Sequence, residues 1–281
     1  MPQLDFTFST ELEFDADAVN HDFVLRCLPS DTARQRVINT QLDIAPKANI
    51  FYCTENSGNI AVHGHIENTH RLFKFTSSGR VETGLDIFEE RAQRESRFAV
   101  LKYPTALTSA GEKLKKYAST LEIFDRQRPY DTVICILRRL SRDFSYEKNV
   151  TEVGTTAEQA FALGAGVCQD FSHIMLALLR LAGIPSRYVT GLLLGEGESH
   201  AWVEVLCRGW WYGIDATNDS LTDWRYIRFA CGRDSADCPI NKGTFYGKTN
   251  QTESVCAVVT LADPDSQVPS ASQTHLQEQQ E

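Results

Sequence analysis

The sequence predicts an α+β chain: an antiparallel β-sandwich followed by a unit in which helices pack on an antiparallel sheet. Three observations carry this reading. Residues 4–88 hold many short runs of period-two alternation separated by turn residues. Helical periodicity begins only after Tyr103-Pro104-Thr105. Beyond Pro185 the alternation returns, as one strand and then a hairpin. A length of 281 residues suits two domains of about 150 residues each. We place them at 1–88 and 109–261, joined by a charged connector at 89–108. The polar stretch 262–281 is expected to be a disordered tail.

In the first unit, Leu4, Phe6 and Phe8 alternate with polar residues, as do Leu12 and Phe14. Further strands are expected at Phe23–Leu28, Arg36–Ile44, Ile50–Thr54, Ile60–Ile66, Leu72–Thr76 and Arg80–Leu85. The turn signals between them are Pro29-Ser30-Asp31, Ala45-Pro46, Asn56-Ser57-Gly58-Asn59 and Ser77-Ser78-Gly79. In the second unit, Ser109 with Glu112 three residues on predicts a capping box opening a helix to about Leu121. Val133, Ile136, Leu137 and Leu140 share one face of a second helix over Asp131–Phe144. Thr156–Leu163 is a short, alanine-rich third.

Composition excludes several classes. Hydrophobic residues make up 42% and charged residues 23%, which is ordinary globular usage. A net charge of −9 repels phosphate backbones, so no nucleic-acid partner is expected. No apolar run is long enough to span a bilayer, and no secretory leader is visible at the start, so no membrane association is expected. The eight cysteines are scattered, and a chain of this length does not need disulfide staples. A reducing cytoplasm is the expected compartment.

The most informative stretch is Gly164-Ala165-Gly166-Val167-Cys168-Gln169-Asp170-Phe171 and the run to Pro185. Phe171, Ile174, Met175, Leu178 and Ala182 form a helical stripe from Cys168 onward, ended by Gly183 and Pro185. Cys168 therefore sits in a first helical turn. The unpaired N–H groups there favour thiolate and can hold an oxyanion.

A strand over Arg187–Leu194 follows, then the acidic loop Gly195-Glu196-Gly197-Glu198-Ser199. His200–Val205 alternates, Cys207-Arg208-Gly209 reads as a turn, and Trp210–Asp215 returns. A hairpin centred on Arg208 sets His200 opposite Ala216, within one residue of Asp215. There the Asp carboxylate can orient the imidazole and steady its charged form, leaving the other ring nitrogen for Cys168.

These segments resemble the transglutaminase-like superfamily, whose core is a papain-like thiol fold with a Cys-His-Asp triad. The matching stretches are GVCQDFSH at 166–173, LLRLAGIPSRYVTG at 178–191, SHAWVEV at 199–205 and GWWYGIDATN at 209–218. The likeness is to the bacterial branch, which often carries an N-terminal β-sandwich. It implies Cys168 as nucleophile, His200 as general base and then acid, and Asp215 as orienter. The implied chemistry is thiol-dependent acyl transfer through a thioester, with a peptide or protein amide as substrate and no cofactor. Water as acceptor makes a cysteine peptidase or amidase, the leading reading; an amine acceptor makes a transglutaminase. A catalytically silent peptide-binding module is the rival on the same fold, and the complete triad argues against it. Gln169 stands where animal cross-linking enzymes place Trp, and no dense acidic loop offers a calcium site. Asp215-Ala216-Thr217 replaces the Asp-Pro-Thr usual in the branch.

The Cys168 N–H is the expected oxyanion donor, with Tyr146 or Gln169 as candidate second donor. Trp202 shares a strand face with His200 and is a candidate shield or core residue. Asp170 is read as a dipole complement in the first turn. His173 lies about 140° round the helix from Cys168, too far to serve as its base. His63, His65 and His70 have strand spacing but no accompanying thiol or carboxylate cluster, so they are read as strand surface rather than a metal site. Cys231 and Cys238 bracket a polar loop without a second ligand pair, so zinc is not expected there. Glu196 and Glu198 are read as a solvated loop.

Overall fold

The computed structural model describes residues 1–85, 90–91 and 95–263. The expected tail at 262–281 lies outside them beyond Asp263, as does part of the connector. In chain order the first strands are β1 (Gln3–Leu25), β2 (Gln35–Ala45), β3 (Asn49–Thr54), β4 (Ile60–Ile66) and β5 (His70–Thr83). β6 (Glu90–Arg91) and a 3₁₀ segment, Glu95–Lys102, lead to α1 (Glu112–Ala118) and α2 (Pro129–Asp143). Then come β7 (Ser145–Tyr146), α3 (Ala157–Leu163), β8 (Ala165–Gly166) and α4 (Cys168–Leu181). The remaining strands are β9 (Ser186–Leu193), β10 (Gly195–Gly197), β11 (His200–Cys207) and β12 (Trp210–Asp215). β13 (Ser220–Leu221), β14 (Tyr226–Gly232), β15 (Asn241–Tyr246) and β16 (Gln251–Leu261) complete the set. The class is α+β. No helix among the described residues is long and apolar enough to cross a membrane.

β1 organises the N-terminal unit. Its first half pairs with β5 and β16, its second half with β4 and β15, all antiparallel. The segments read separately at Leu4–Phe14 and Phe23–Leu28 are thus one strand to Leu25. A register shift between Glu13 and Ala18 turns it from one sheet into the other. Between the two arms lies a phenylalanine-rich core that includes Phe8, Phe23, Phe73 and Phe75. Ser77-Ser78-Gly79, read as a turn, instead lies inside the continuous strand β5. Gly79 serves close approach there: a Cβ would stand 2.3 Å from the Asn39 carbonyl oxygen, where β2 carries a bulge. β15 and β16, read as the end of the second unit, pair with β1. Their apolar residues Ala257 and Val259 complete the first core.

The second sheet runs β13-β12-β11-β9-β14, with β6 beside β12. Helices α1–α3 and this sheet enclose α4. The stripe expected on α4 is therefore only part of what is hidden; residues 170–180 are all buried. The polar residues off the stripe find partners inside. Arg180 donates to the Thr108 hydroxyl and to the Ser186 and Arg233 carbonyls. His173 Nε2 accepts from the Ser235 N–H at 3.3 Å. The capping box expected at Ser109 does not form. α1 begins after Gly111, and Glu158 of α3 supplies its cap, accepting from the N–H groups of Gly111, Lys113 and Leu114. A carboxylate from a neighbouring helix can do this because the orphan N–H groups need an acceptor, not a local one.

Candidate functional site

Cys168 is the first residue of α4 and half-buried. The helix begins there because Asp170 Oδ2 accepts from the Val167 N–H at 2.8 Å and from the Thr151 hydroxyl at 2.7 Å. Asp170 is 1% exposed, so it does more than complement the dipole. Burial raises its pKa, against the pull of those two donors. A Cβ at Gly166 would stand 2.4 Å from its carboxylate oxygen, so the glycine before the helix makes room for this cap.

The hairpin that carries His200 and Asp215 closes through a two-residue turn. Arg208 (φ 52°) and Gly209 (φ 84°) are both left-handed, as a type I′ turn requires. Val203 consequently faces Ile214 and Cys207 faces Trp210. This register is one residue from that of the turn centred on Arg208. Continued outward, it sets His200 against Thr217 and leaves Asp215 diagonal to it on the same face. In the expected register Asp215 would have pointed to the other side of the sheet.

His200 Nε2 lies 2.7 Å from Asp215 Oδ2. Cys168 is the ring's second interaction partner, and both residues line one cleft. Burial works to lower the His200 pKa, but hydrogen bonds to Asp215 and Cys168 and their negative charges outweigh it and raise it to about 10. Asp215 is fully buried. Its Oδ2 also accepts from Asn218 Nδ2 (2.7 Å) and the Tyr226 hydroxyl (2.9 Å), and its Oδ1 from the N–H groups of Thr217 and Asn218. Burial raises the Asp215 pKa, yet His200, Asn218 and Tyr226 together hold it below the ordinary carboxylate value. Ala216, where the branch usually has proline, is fixed by its carbonyl accepting from the Ser141 hydroxyl at 2.7 Å.

Trp202 is 2% exposed and lies behind the imidazole, ring centroids 6.3 Å apart and planes 27° from parallel. Tyr226 packs edge-on against Trp202 at 5.4 Å, so the two rings wall the back of His200. Tyr226 and Asn218 were not singled out in the sequence. The signal for Asn218 was its place three residues after Asp215, where a side-chain amide reaches back across a turn. Tyr226 gave no local signal, since it lies eleven residues away on another strand.

The front of the site opens into a cleft of about 560 Å³. Tyr146, Gln169, Lys148, Glu196, Glu198 and Leu194 are among its lining residues. Tyr146 comes from β7, which pairs parallel with β8 immediately before Cys168. The Gln169 side-chain amide donates to the Val153 carbonyl at 3.2 Å. Lys148 and Glu198 form an exposed ion pair at 2.9 Å. So Glu198 has a partner across the cleft rather than water alone.

The other sequence candidates go elsewhere. His65 pairs with Asp22, His63 stacks on Phe51, and His70 meets His21. No group of three metal-ligating residues occurs among the described residues. His173 is buried, and burial lowers its pKa to about 4. Cys231 and Cys238 are buried thiols directed at the Ser57 and Asp234 carbonyls.

With this geometry in view, two family profiles match the chain. The transglutaminase-like superfamily core matches residues 121–216, and the bacterial transglutaminase-like N-terminal region matches residues 4–82. An uncharacterized protein of Mycobacterium leprae is 29% identical over 261 residues, 85% of this chain and 92% of that protein. An uncharacterized protein of Mycobacterium tuberculosis is 30% identical over 266 residues, 82% of each. Among solved structures, a proposed cysteine protease from Cytophaga hutchinsonii superposes with a TM-score of 0.75 at 22% identity, covering 95% of this chain and 93% of its own. That likeness shows the shared fold. The chain belongs to the transglutaminase-like superfamily, with the N-terminal region of its bacterial members.

Proposed function

We propose that this protein is a cysteine peptidase or amidase that cleaves amide bonds through Cys168, His200 and Asp215. The observation that carries the reading is the 2.7 Å contact of His200 with buried Asp215, in one cleft with Cys168 at a helix start. A ring kept protonated beside a sulfur is an arrangement that activates a thiol as nucleophile.

The reaction follows from these groups. The Cys168 thiolate attacks the amide carbonyl carbon; a C–S bond forms and the carbonyl electrons move to oxygen. The Cys168 backbone N–H, in the first helical turn, donates to that oxyanion. As the C–N bond breaks, the His200 imidazolium gives its proton to the leaving amine, and a thioester remains. His200 then takes a proton from water as its oxygen attacks the thioester. The C–S bond breaks, releasing the acid and restoring the thiolate–imidazolium pair. Asp215 stays ionised throughout and steadies each protonated form of the ring.

Alkylation tests the reading. Cys53 and Cys256 are exposed and Cys168 is half-buried. Accessibility alone would label those two first. With limiting iodoacetamide near neutral pH, peptide mass spectrometry should find Cys168 modified fastest of the eight thiols, and His200→Ala should abolish that lead. Labelling in order of exposure would remove the proposed nucleophile. Trapping an acyl group on Cys168 from lysate would then identify the substrate.

A further inference from the structure

β14 is the outer strand of the second sheet, and its free edge is not left to water. Two side-chain amides of the N-terminal unit pair with it as another strand would. Gln35 accepts from the Arg228 N–H at 2.8 Å and donates to the Arg228 carbonyl at 2.9 Å. Asn59 does the same for Cys231, at 2.8 and 3.0 Å. The register shift between Arg228 and Ala230 makes these the successive outward-facing positions. Gln35 and Asn59 are each 3% exposed, so both contacts are deep in the junction. Just upstream, Arg34 donates to the Thr222 carbonyl at 3.2 Å and the Thr83 hydroxyl to the Trp224 carbonyl at 2.7 Å. The segment 222–228 is thus gripped on both sides of Tyr226, whose hydroxyl ends on Asp215.

We propose that the N-terminal unit serves the active site as a strut. By gripping 222–228 through Arg34, Gln35 and Thr83, it sets the Tyr226 hydroxyl on Asp215 and, through that carboxylate, the plane of the His200 ring. This rests on the triad reading above. Tyr226 is then a positioning residue, and Gln35 acts through it from another unit. Nucleophile and base must meet in one geometry, and a displacement of about 1 Å can cost on the order of 100-fold in rate. A carboxylate fixed by donors on several sides resists such displacement better than one held by His200 alone.

The test is the rate of Cys168 alkylation by iodoacetamide in the full chain, followed from about pH 4 to about pH 9. Tyr226→Phe removes only the hydroxyl. It should slow labelling about tenfold at neutral pH. Its acid limb should move to higher pH, because a carboxylate short of one donor takes a proton more readily. Gln35→Ala should shift rate and acid limb the same way. The double variant should be no slower than the slower single, since both act on one contact. If Gln35→Ala does not fold, Thr83→Val, which loses a single hydrogen bond to the same segment, carries the test. The exposed Gln41→Ala serves as control.

Three results would overturn the strut: a folded Gln35→Ala or Thr83→Val with the wild-type rate and acid limb, a double variant whose loss is the product of the single losses, or an equal loss in Gln41→Ala. Slow labelling of Cys168 in the wild type would instead strike the triad itself, and needs no variant to be seen.

Discussion

Asp215 meets His200 diagonally across the β11–β12 hairpin, 2.7 Å from Nε2, although the two residues are not a directly paired couple. The contact exists because the Arg208-Gly209 turn is two residues long. Five donors converge on the Asp215 carboxylate, four besides His200. Asp215→Asn keeps the volume but turns one oxygen into an N–H donor in a site already full of donors. We expect at least about a 100-fold fall in activity-probe labelling of Cys168, with the fold retained by circular dichroism. Labelling at the wild-type rate would show that the carboxylate does not serve the thiol.

The His200 pair also marks stability against alkali. With the folded pKa raised from 6.5 to about 10, its contribution is fully present below about pH 6.5 and is lost as pH rises through about 10. The wild-type Tm should therefore decline across that window, and the decline should be smaller in His200→Gln, which cannot titrate. Parallel Tm curves for the two proteins would mean that the ring is not held protonated in the folded state.

Glu158 gives a prediction about folding rather than chemistry. Its carboxylate takes three N–H groups at the start of α1, which has no side-chain cap of its own. Glu158→Ala should cost about 1–2 kcal/mol in denaturant unfolding. Amide exchange at Lys113 and Leu114 should rise with it. A change confined to α3, with α1 protected as before, would deny the cap.

What the sequence made legible follows the range of the forces involved. α4, its stop at Gly183 and the order Cys168, His200, Asp215 rest on local periodicity and turn chemistry, and these could be read. The hairpin register could be read only to within one residue, because Cys207-Arg208-Gly209 looks like a three-residue turn until both central φ angles are known. Tyr226, Gln35 and the Glu158 cap could not be read at all. Each is a single polar group acting across more than ten residues, and such contacts leave no period. Asp170 was underread for a related reason: its partner Thr151 lies in a loop that only the fold brings alongside.

His21 and His70 meet inside the N-terminal unit, although nothing in the strand pattern pairs them. His70 Nδ1 lies 3.0 Å from the Asn68 carbonyl and so carries its proton there. His70 Nε2 then accepts from His21 Nδ1 at 3.2 Å. Phe14, Phe23, Phe73 and Phe245 surround His21, so a charge there has little to solvate it. Burial first, and then the neighbouring His70, lower the His21 pKa to about 4; Asp22 pulls the other way and His65 adds slightly to the lowering. Because the folded value lies below the unfolded 6.5, the stabilising contribution is complete above about pH 6.5 and drains away as pH falls toward about 4. Tm measured from about pH 7 to about pH 4.5 should fall more steeply for the wild type than for His21→Phe, whose ring fills the same space without a proton to take. Equal slopes would place the acid-sensitive group elsewhere.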